Sequence, residues 1–297
     1  MISLYPHQQQ VLNETKSFDH VAYYLDMGLG KTYVGAEKMQ QLHGFNNIVI
    51  CQKSKVDDWI EHFRSNYHIE VFDLTIPTDI TRYMMSTIPR IGIINYDLIW
   101  RRKAVLTSAI DTLMLDESSL IQNESSKRSK AIMHMNYKNL ILLSGTPIDG
   151  KYENIYSQCR MLGWDISKDT FWHSYVNWEL VKKDNYYTGK KIIYKKVTGY
   201  KHIDNLTKNL HEHGCVFMKT SEVIDLPAQM FTKIKVNPSL EYKKFMKDRV
   251  ITIHDVDLVG ANSLTKLLCA RELCGIYSQE KLSAFQDILD STSDLLS

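Results

Sequence analysis

Leu25-Asp26-Met27-Gly28-Leu29-Gly30-Lys31-Thr32 decides how this chain is read. It follows His20-Val21-Ala22-Tyr23-Tyr24-Leu25, an apolar run with strand character, and it opens Lys31 to Leu42, which is patterned as a helix. A strand, a glycine-rich turn and a helix in that order form the setting of a phosphate loop. Glycines let backbone N–H groups approach phosphate oxygens, a lysine ammonium reaches the outer phosphates, and a threonine hydroxyl ligates magnesium. An ordinary glycine-rich turn has the same outline, and Lys31-Thr32 directly after Gly30 separates the two readings. The common spacing puts a further glycine five residues before Gly30, where this chain has Leu25, so the motif is a variant.

Working outward, apolar runs alternate with helical stretches over residues 1–165. Strands are expected at Asn47–Cys51, Glu70–Leu74, Ile91–Asn95, Thr112–Asp116 and Leu140–Leu143, with a helix from Lys55 to Phe63. Continuous apolar strands separated by helices imply an α/β fold whose parallel sheet is covered on both faces. Ligands of such sheets sit at the carboxyl ends of the strands, and the polar punctuation falls there. Asp116-Glu117 ends one strand: the aspartate is suited to hold magnesium, the glutamate to orient or deprotonate a water. Alone the pair reads equally as a solvated turn. Its weight comes from sharing a sheet edge with the phosphate loop.

The 297 residues suggest about two units, since a domain is typically ~100–200 residues. Hydrophobic residues make up 44% and charged residues 24%, which excludes wholesale disorder and low-complexity polymers. The net charge of +2 neither demands nor forbids a nucleic-acid partner. No window has the roughly 18 apolar residues of a membrane span, and the N-terminus lacks signal-peptide character, so no membrane association is expected. Five scattered cysteines without a CxxC pair read as reduced thiols serving as buried filler, with Cys269 and Cys274 on a buried helical face. His211-Glu212-His213-Gly214-Cys215 lacks the spacing of a zinc site.

Beyond Gly150 the character changes. Lys151 to Leu162 reads as a helix, and from Lys182 to Lys201 seven lysines face one aspartate, Asp184, with tyrosines interleaved. Tyr186 to Tyr194 reads as a hairpin turning at Thr188-Gly189. Lysines neutralise phosphates and aromatic rings stack on bases, but a solvated hairpin has the same composition. Helices are expected at His202–Gly214, Leu240–Asp248, Ser263–Leu273 and Glu280–Leu289, and a strand at Met230–Val236. Trp59 and Met84-Met85 read as packing, and Ser126 as the opening of a helix.

Asp26 to Thr32, Asp116-Glu117-Ser118-Ser119 and Ser144-Gly145-Thr146-Pro147, in that order, resemble motifs I, II and III of superfamily-two helicases and translocases. The Asp-Met-Gly-Leu-Gly-Lys-Thr form looks most like the Swi/Snf remodeller-like group. Leu4-Tyr5-Pro6-His7-Gln8 is similar to that group's opening motif, which implies an adenine contact for Gln8. Ile93 to Asp97 resembles a motif beside the nucleic-acid path and carries Tyr96. Cys215 to Pro227 resembles the way out of the first lobe, and Lys281 to Leu289 the helix before the second lobe's first strand.

The resemblance implies a RecA-like lobe over 1–165, a basic protrusion with a return to that lobe over 166–236, and a helical start of a second lobe over 237–297. It implies an ATP-dependent helicase or translocase acting on DNA, double-stranded by its motif form, with ATP and Mg2+ as cofactors. Met27, Gly28, Leu29, Gly30, Lys31 and Thr32 would bind nucleotide, with Thr32 and Asp116 on magnesium and Lys31, Asp116 and Glu117 catalytic. Tyr96, Ser144, Gly145 and Thr146 would couple the ATP site to DNA, and Lys190, Lys191, Lys195 and Lys196 would contact it. Compact relatives of this type look viral or mobile-element-borne, which implies the cytoplasm of a bacterium or an infected host cell.

The family's fourth motif-II residue is histidine, and here it is Ser119. The sequence stops where a second lobe carrying arginine fingers is expected, so slow hydrolysis is expected of this chain alone. A catalytically idle nucleotide-binding module that recruits a nuclease or replication partner is the competing expectation, and oligomeric state is open.

Overall fold

The computed structural model describes residues 3–184, 191–223, 233–253, 256–275 and 278–293. Two compact units emerge, Met1–Leu226 and Pro227–Ser297.

The first unit is built on strands β1 (His20–Leu25), β2 (Asn46–Cys51), β3 (Glu70–Asp73), β4 (Arg90–Asn95), β5 (Ile110–Asp116) and β6 (Tyr137–Ser144). A two-stranded ribbon, β7 (Val176–Asp184) and β8 (Lys191–Tyr200), precedes β9 (Cys215–Met218). Seven strands form one parallel sheet in the order β3-β4-β2-β5-β6-β1-β9. The α/β, RecA-like parallel sheet expected from the sequence is present. β1 sits between β6 and β9, with Tyr24 beside both Ser144 and Phe217.

Burial on both faces explains the near-continuous apolar strands. Val21, Tyr23 and Leu25 of β1 face one core with Val49, Met114 and Ile141, while Ala22 and Tyr24 face the other with Ile48, Leu113 and Leu140. Helices α1 (Pro6–Glu14), α2 (Lys31–Gln41) and α3 (Val56–Asn66) supply Val11, Val34 and Phe63 to the first core. The second is closed by residues such as Tyr83, Ile132, Phe171 and Leu210 from later helices.

Several expectations are corrected. Pro77–Met85 is a helix, begun by a proline at its first turn; Met84 packs on the core, but Met85 is 75% exposed. The ribbon is longer than the hairpin expected, running from Val176 to Tyr200, and its turn at Thr188-Gly189 lies outside the described residues. In the second unit, Lys233–Val236 forms no strand, while Met230 to Thr232 lie outside the described residues. The strands there are β10 (Val250–Ile253) and β11 (Val256–Val259), an antiparallel pair whose Ile251 and Leu258 bury against Phe245 and Leu273 of the helices Leu240–Asp248 and Ser263–Gly275. Cys51, Cys159 and Cys215 are buried, but Cys269 and Cys274 are half-buried: Ala270 and Leu273 of their helix are the residues buried in that small core, and Cys269 packs at its edge. Ser126 caps the helix Lys127–Met133, accepting the Ser129 N–H at 3.2 Å.

Candidate functional site

β1, β5 and β6 are neighbours in the sheet, so their carboxyl ends bring three separated sequences together. Gly28 (φ +85°) and Gly30 (φ +76°) turn the chain through left-handed backbone between β1 and α2. A Cβ on Gly30 would lie 2.1 Å from Gln8 Nε2, so two reasons require glycine there.

Gln8 is buried. Its Nε2 donates to Leu29 O (3.2 Å) and its Oε1 accepts Tyr5 N–H (3.0 Å), so α1 is fastened to the loop. Leu29 differs from the expected picture of a loop residue offered to nucleotide: its side chain is fully buried in the core, and its carbonyl faces His7 and Gln8. Met27 is 84% exposed. The other side of the loop is held from beyond β9, where Thr220 N–H donates to Asp26 Oδ2 (3.0 Å) and Thr220 Oγ1 to Met27 O (3.3 Å).

Lys31 Nζ donates to Leu25 O (2.8 Å) and Asp26 O (3.2 Å). Burial lowers its pKa, against the pull of Glu117, Asp116 and Asp26. Gly145 makes room for the ammonium, since a Cβ there would sit 3.3 Å from Nζ. Thr32, Asp116 and Glu117 line one 240 Å³ cavity with Gln52, Lys55, Asp58 and Trp59. Asp116 Oδ2 accepts the Trp59 indole N–H at 2.8 Å. Burial, with Glu117 adjacent, raises the Asp116 carboxyl above its ordinary value, while the indole bond and Lys31 pull it down. Trp59 packs on Phe63 as a core residue, yet its polar edge belongs to this cavity, which its spacing in the sequence did not signal.

Glu117 has φ +58°, a conformation a non-glycine residue adopts at a cost. Its Oε1 accepts Ser119 Oγ (2.9 Å) and Ser144 Oγ (2.8 Å), and Ser144 Oγ in turn accepts Thr146 N–H (3.2 Å). The residue standing where the family pattern has histidine therefore grips Glu117 directly. Tyr96 is 2% exposed, its hydroxyl donates inward to Asp116 O (3.0 Å), and the residue also lines a neighbouring cleft with Lys53 and Arg128.

The ribbon lysines do not join this cluster. Lys191 is exposed, Lys195 lies over the rings of Trp178 (4.4 Å) and Trp172 (5.4 Å), and Lys196 pairs with Glu179 (3.1 Å). Two of the expected DNA contacts thus have partners within the protein. Lys190 lies outside the described residues.

The loop, the acidic strand end and the serine turn are one constellation, and a family model describing the SNF2-related domain matches residues 24–283. The chain belongs to the SNF2-related domain family. It is 28% identical over 158 residues to the ISWI chromatin-remodeling complex ATPase ISW2 of Saccharomyces cerevisiae, covering 49% of this chain and 14% of that protein. It is 24% identical over 146 residues to the DNA repair and recombination protein RAD54B of Gallus gallus, covering 44% of this chain and 16% of that protein. The chain thus spans a small share of these relatives' length. The SWI2/SNF2 ATPase core of Sulfolobus solfataricus in complex with dsDNA has the same fold, with a TM-score of 0.58 at 18% identity over 99% of this chain and 65% of that chain.

As an SNF2-related domain, the chain would use ATP, and its residues fit the nucleotide and its metal. Lys31 is half-buried beside two left-handed glycines. Thr32 and Asp116 offer the hard oxygen donors magnesium takes. Among the described residues no three His, Cys, Asp or Glu side chains form a metal cage.

Proposed function

We propose that this chain is the ATP-binding lobe of a DNA translocase that hydrolyses Mg-ATP. The observation that carries the reading is the convergence of Lys31, Thr32, Asp116, Glu117 and Ser144 at one sheet edge. Lys31 would hold phosphate, and Thr32 and Asp116 would hold magnesium. Bound Mg-ATP supplies a polarised terminal phosphoryl group. Glu117 orients the attacking water and takes its proton on Oε2, because Oε1 is occupied by two serine hydroxyls. Ser144 and Thr146 sense that change through the same bonds and pass it to the DNA side. Gln8 positions the loop and keeps one N–H and one lone pair for adenine.

Double-stranded DNA is the proposed track, supported by Lys53, which lines a 680 Å³ cleft at the same sheet edge together with Arg128, itself paired with Asp97 at 3.8 Å. The ribbon, with Lys191 outermost of its described lysines, is proposed as a second contact to that track. Residues 237–297 are read as the opening of a second lobe, and the site of action as cytoplasmic. Slow turnover without an arginine supplied by a partner lobe is part of the proposal. An arginine finger is worth ~10³–10⁵ in rate.

The test is ATP hydrolysis with and without duplex DNA, for the native sequence and Lys31→Ala. Turnover that rises with DNA and disappears in Lys31→Ala is expected. Magnesium-dependent nucleotide binding with no turnover under any condition would instead favour an idle module recruiting a nuclease or replication partner, a reading to which Ser119 lends weight.

A further inference from the structure

Gln158 lies behind the site, away from the surface. It is fully buried in the helix Tyr156–Met161, and its carboxamide joins three segments. Its Oε1 accepts both Ser118 Oγ (2.7 Å) and Tyr24 OH (3.0 Å), and its Nε2 donates to Pro147 O (3.3 Å). Each partner is next to a working residue. Tyr24 precedes Leu25, whose carbonyl holds Lys31 Nζ. Ser118 follows Glu117, and Pro147 follows Thr146, whose N–H reaches Ser144.

Both lone pairs of Oε1 are filled, so the two hydroxyls have fixed directions. Tyr24 and Ser118 are themselves buried, and deleting the acceptor would leave both without their partner. A left-handed residue such as Glu117 holds its conformation only while its surroundings over-determine it. Tyr96 grips that turn through Asp116 O, and Ser118 grips it from the other side.

We infer that Gln158 is a positioning residue that locks the Glu117–Ser118 turn to the Ser144–Pro147 turn, so that the two move as one body. The inference rests on the reading of Glu117 and Ser144 as the ATP-side residues of the motor, but the lock itself is a property of the folded chain and is measured without turnover.

The experiment is amide hydrogen exchange over residues 117–121 and 144–148 in the full chain, for the native sequence, Gln158→Leu and Ile155→Ala. Ile155 is buried on the preceding turn and supplies a packing loss without touching the network. Gln158→Leu is expected to speed exchange in both turns on the order of tenfold, the scale of losing buried hydrogen-bond partners. Ile155→Ala is expected to leave the ratio between the turns and the rest of the sheet unchanged. A third variant, Tyr24→Phe/Ser118→Ala/Gln158→Leu, removes the carboxamide and both hydroxyls together and leaves only the Pro147 carbonyl without its donor, which restores Tm part of the way towards the native value. Exchange in the 144–148 turn is expected to stay raised in it. Recovery of exchange along with Tm, or equal opening by Ile155→Ala, would overturn the lock. ATP hydrolysis in the same variants is a separate readout: its absence from the native chain counts against the motor reading and leaves the exchange result standing.

Discussion

Gly30→Ala should damage the phosphate loop in two separable ways. The first is backbone strain. Gly30 has φ +76°, and left-handed backbone costs an L-residue roughly 1–2 kcal/mol. The second is a collision, because the new methyl would lie 2.1 Å from Gln8 Nε2. Gln8 is 4% exposed, so it must leave its bond to Leu29 O in order to yield. A net hydrogen bond is worth ~0.5–1.5 kcal/mol, with some packing lost besides. The sum is about 2–4 kcal/mol. Gly28→Ala supplies the control, since Gly28 has φ +85° with nothing within 4 Å of an added Cβ. It carries the strain alone, and both substitutions share the ~0.4–1 kcal/mol that alanine gains by restricting the unfolded chain. Urea unfolding of the four combinations of Gly30→Ala and Gln8→Ala closes a double-mutant cycle. The expected coupling is ~1–2 kcal/mol, with Gly30→Ala in the Gln8→Ala background matching Gly28→Ala. Equal penalties for Gly30→Ala in both backgrounds would refute the fastening of α1 to the loop.

Two further outcomes follow from the site and the ribbon. Asp116 is held above its ordinary value of 3.8, so the folded chain binds its proton more tightly than the unfolded chain, and its ionisation costs stability as pH rises from 3.8 through the raised value. Asp116→Asn is therefore expected to raise Tm at pH 7 without nucleotide, to lose that gain as pH falls towards 3.8, and to abolish magnesium-dependent nucleotide binding; thermal melts across pH with a binding titration check it. Replacing Lys190, Lys191, Lys195 and Lys196 by alanine is expected to lower the slope of log affinity for duplex DNA against log salt by about 2, short of the ~0.9 per lysine that four free phosphate contacts would give. The shortfall reflects the Lys196–Glu179 pair and the tryptophan cradle of Lys195, and an unchanged slope would make the ribbon a solvated face.

The phosphate loop was legible because strand, glycines, lysine and helix are contiguous, so local geometry alone constrains them. Asp116 and Ser144 were legible for a related reason: each ends an apolar run, and a parallel sheet aligns such ends. The order of the strands was not, because β1 finds its neighbours more than a hundred residues away and apolar runs carry no label for their partners. Gln158 was hidden too. A lone glutamine in an amphipathic stretch reads as surface, and its meaning depends on hydroxyls 40 and 134 residues distant. Trp59 was read by its bulk, and only the fold shows where its N–H points. The hairpin β10–β11 escaped because its short alternation lies beside stronger helical patterns.

The clasp between Thr220 and Asp26 spans 194 residues of sequence. On a ribosome adding ~5–20 residues per second, that stretch takes ~10–40 s to appear. Throughout that time β1 has emerged without β9, and until Tyr137–Ser144 appears it lacks β6 as well. The phosphate loop is thus encoded early, with its contacts to Gln8 and Lys31 local in sequence, and its clasp from beyond β9 is added late. On a nascent chain the cavity-lining residues up to Glu117 emerge first, and this clasp on the loop closes last, once β9 has left the exit tunnel.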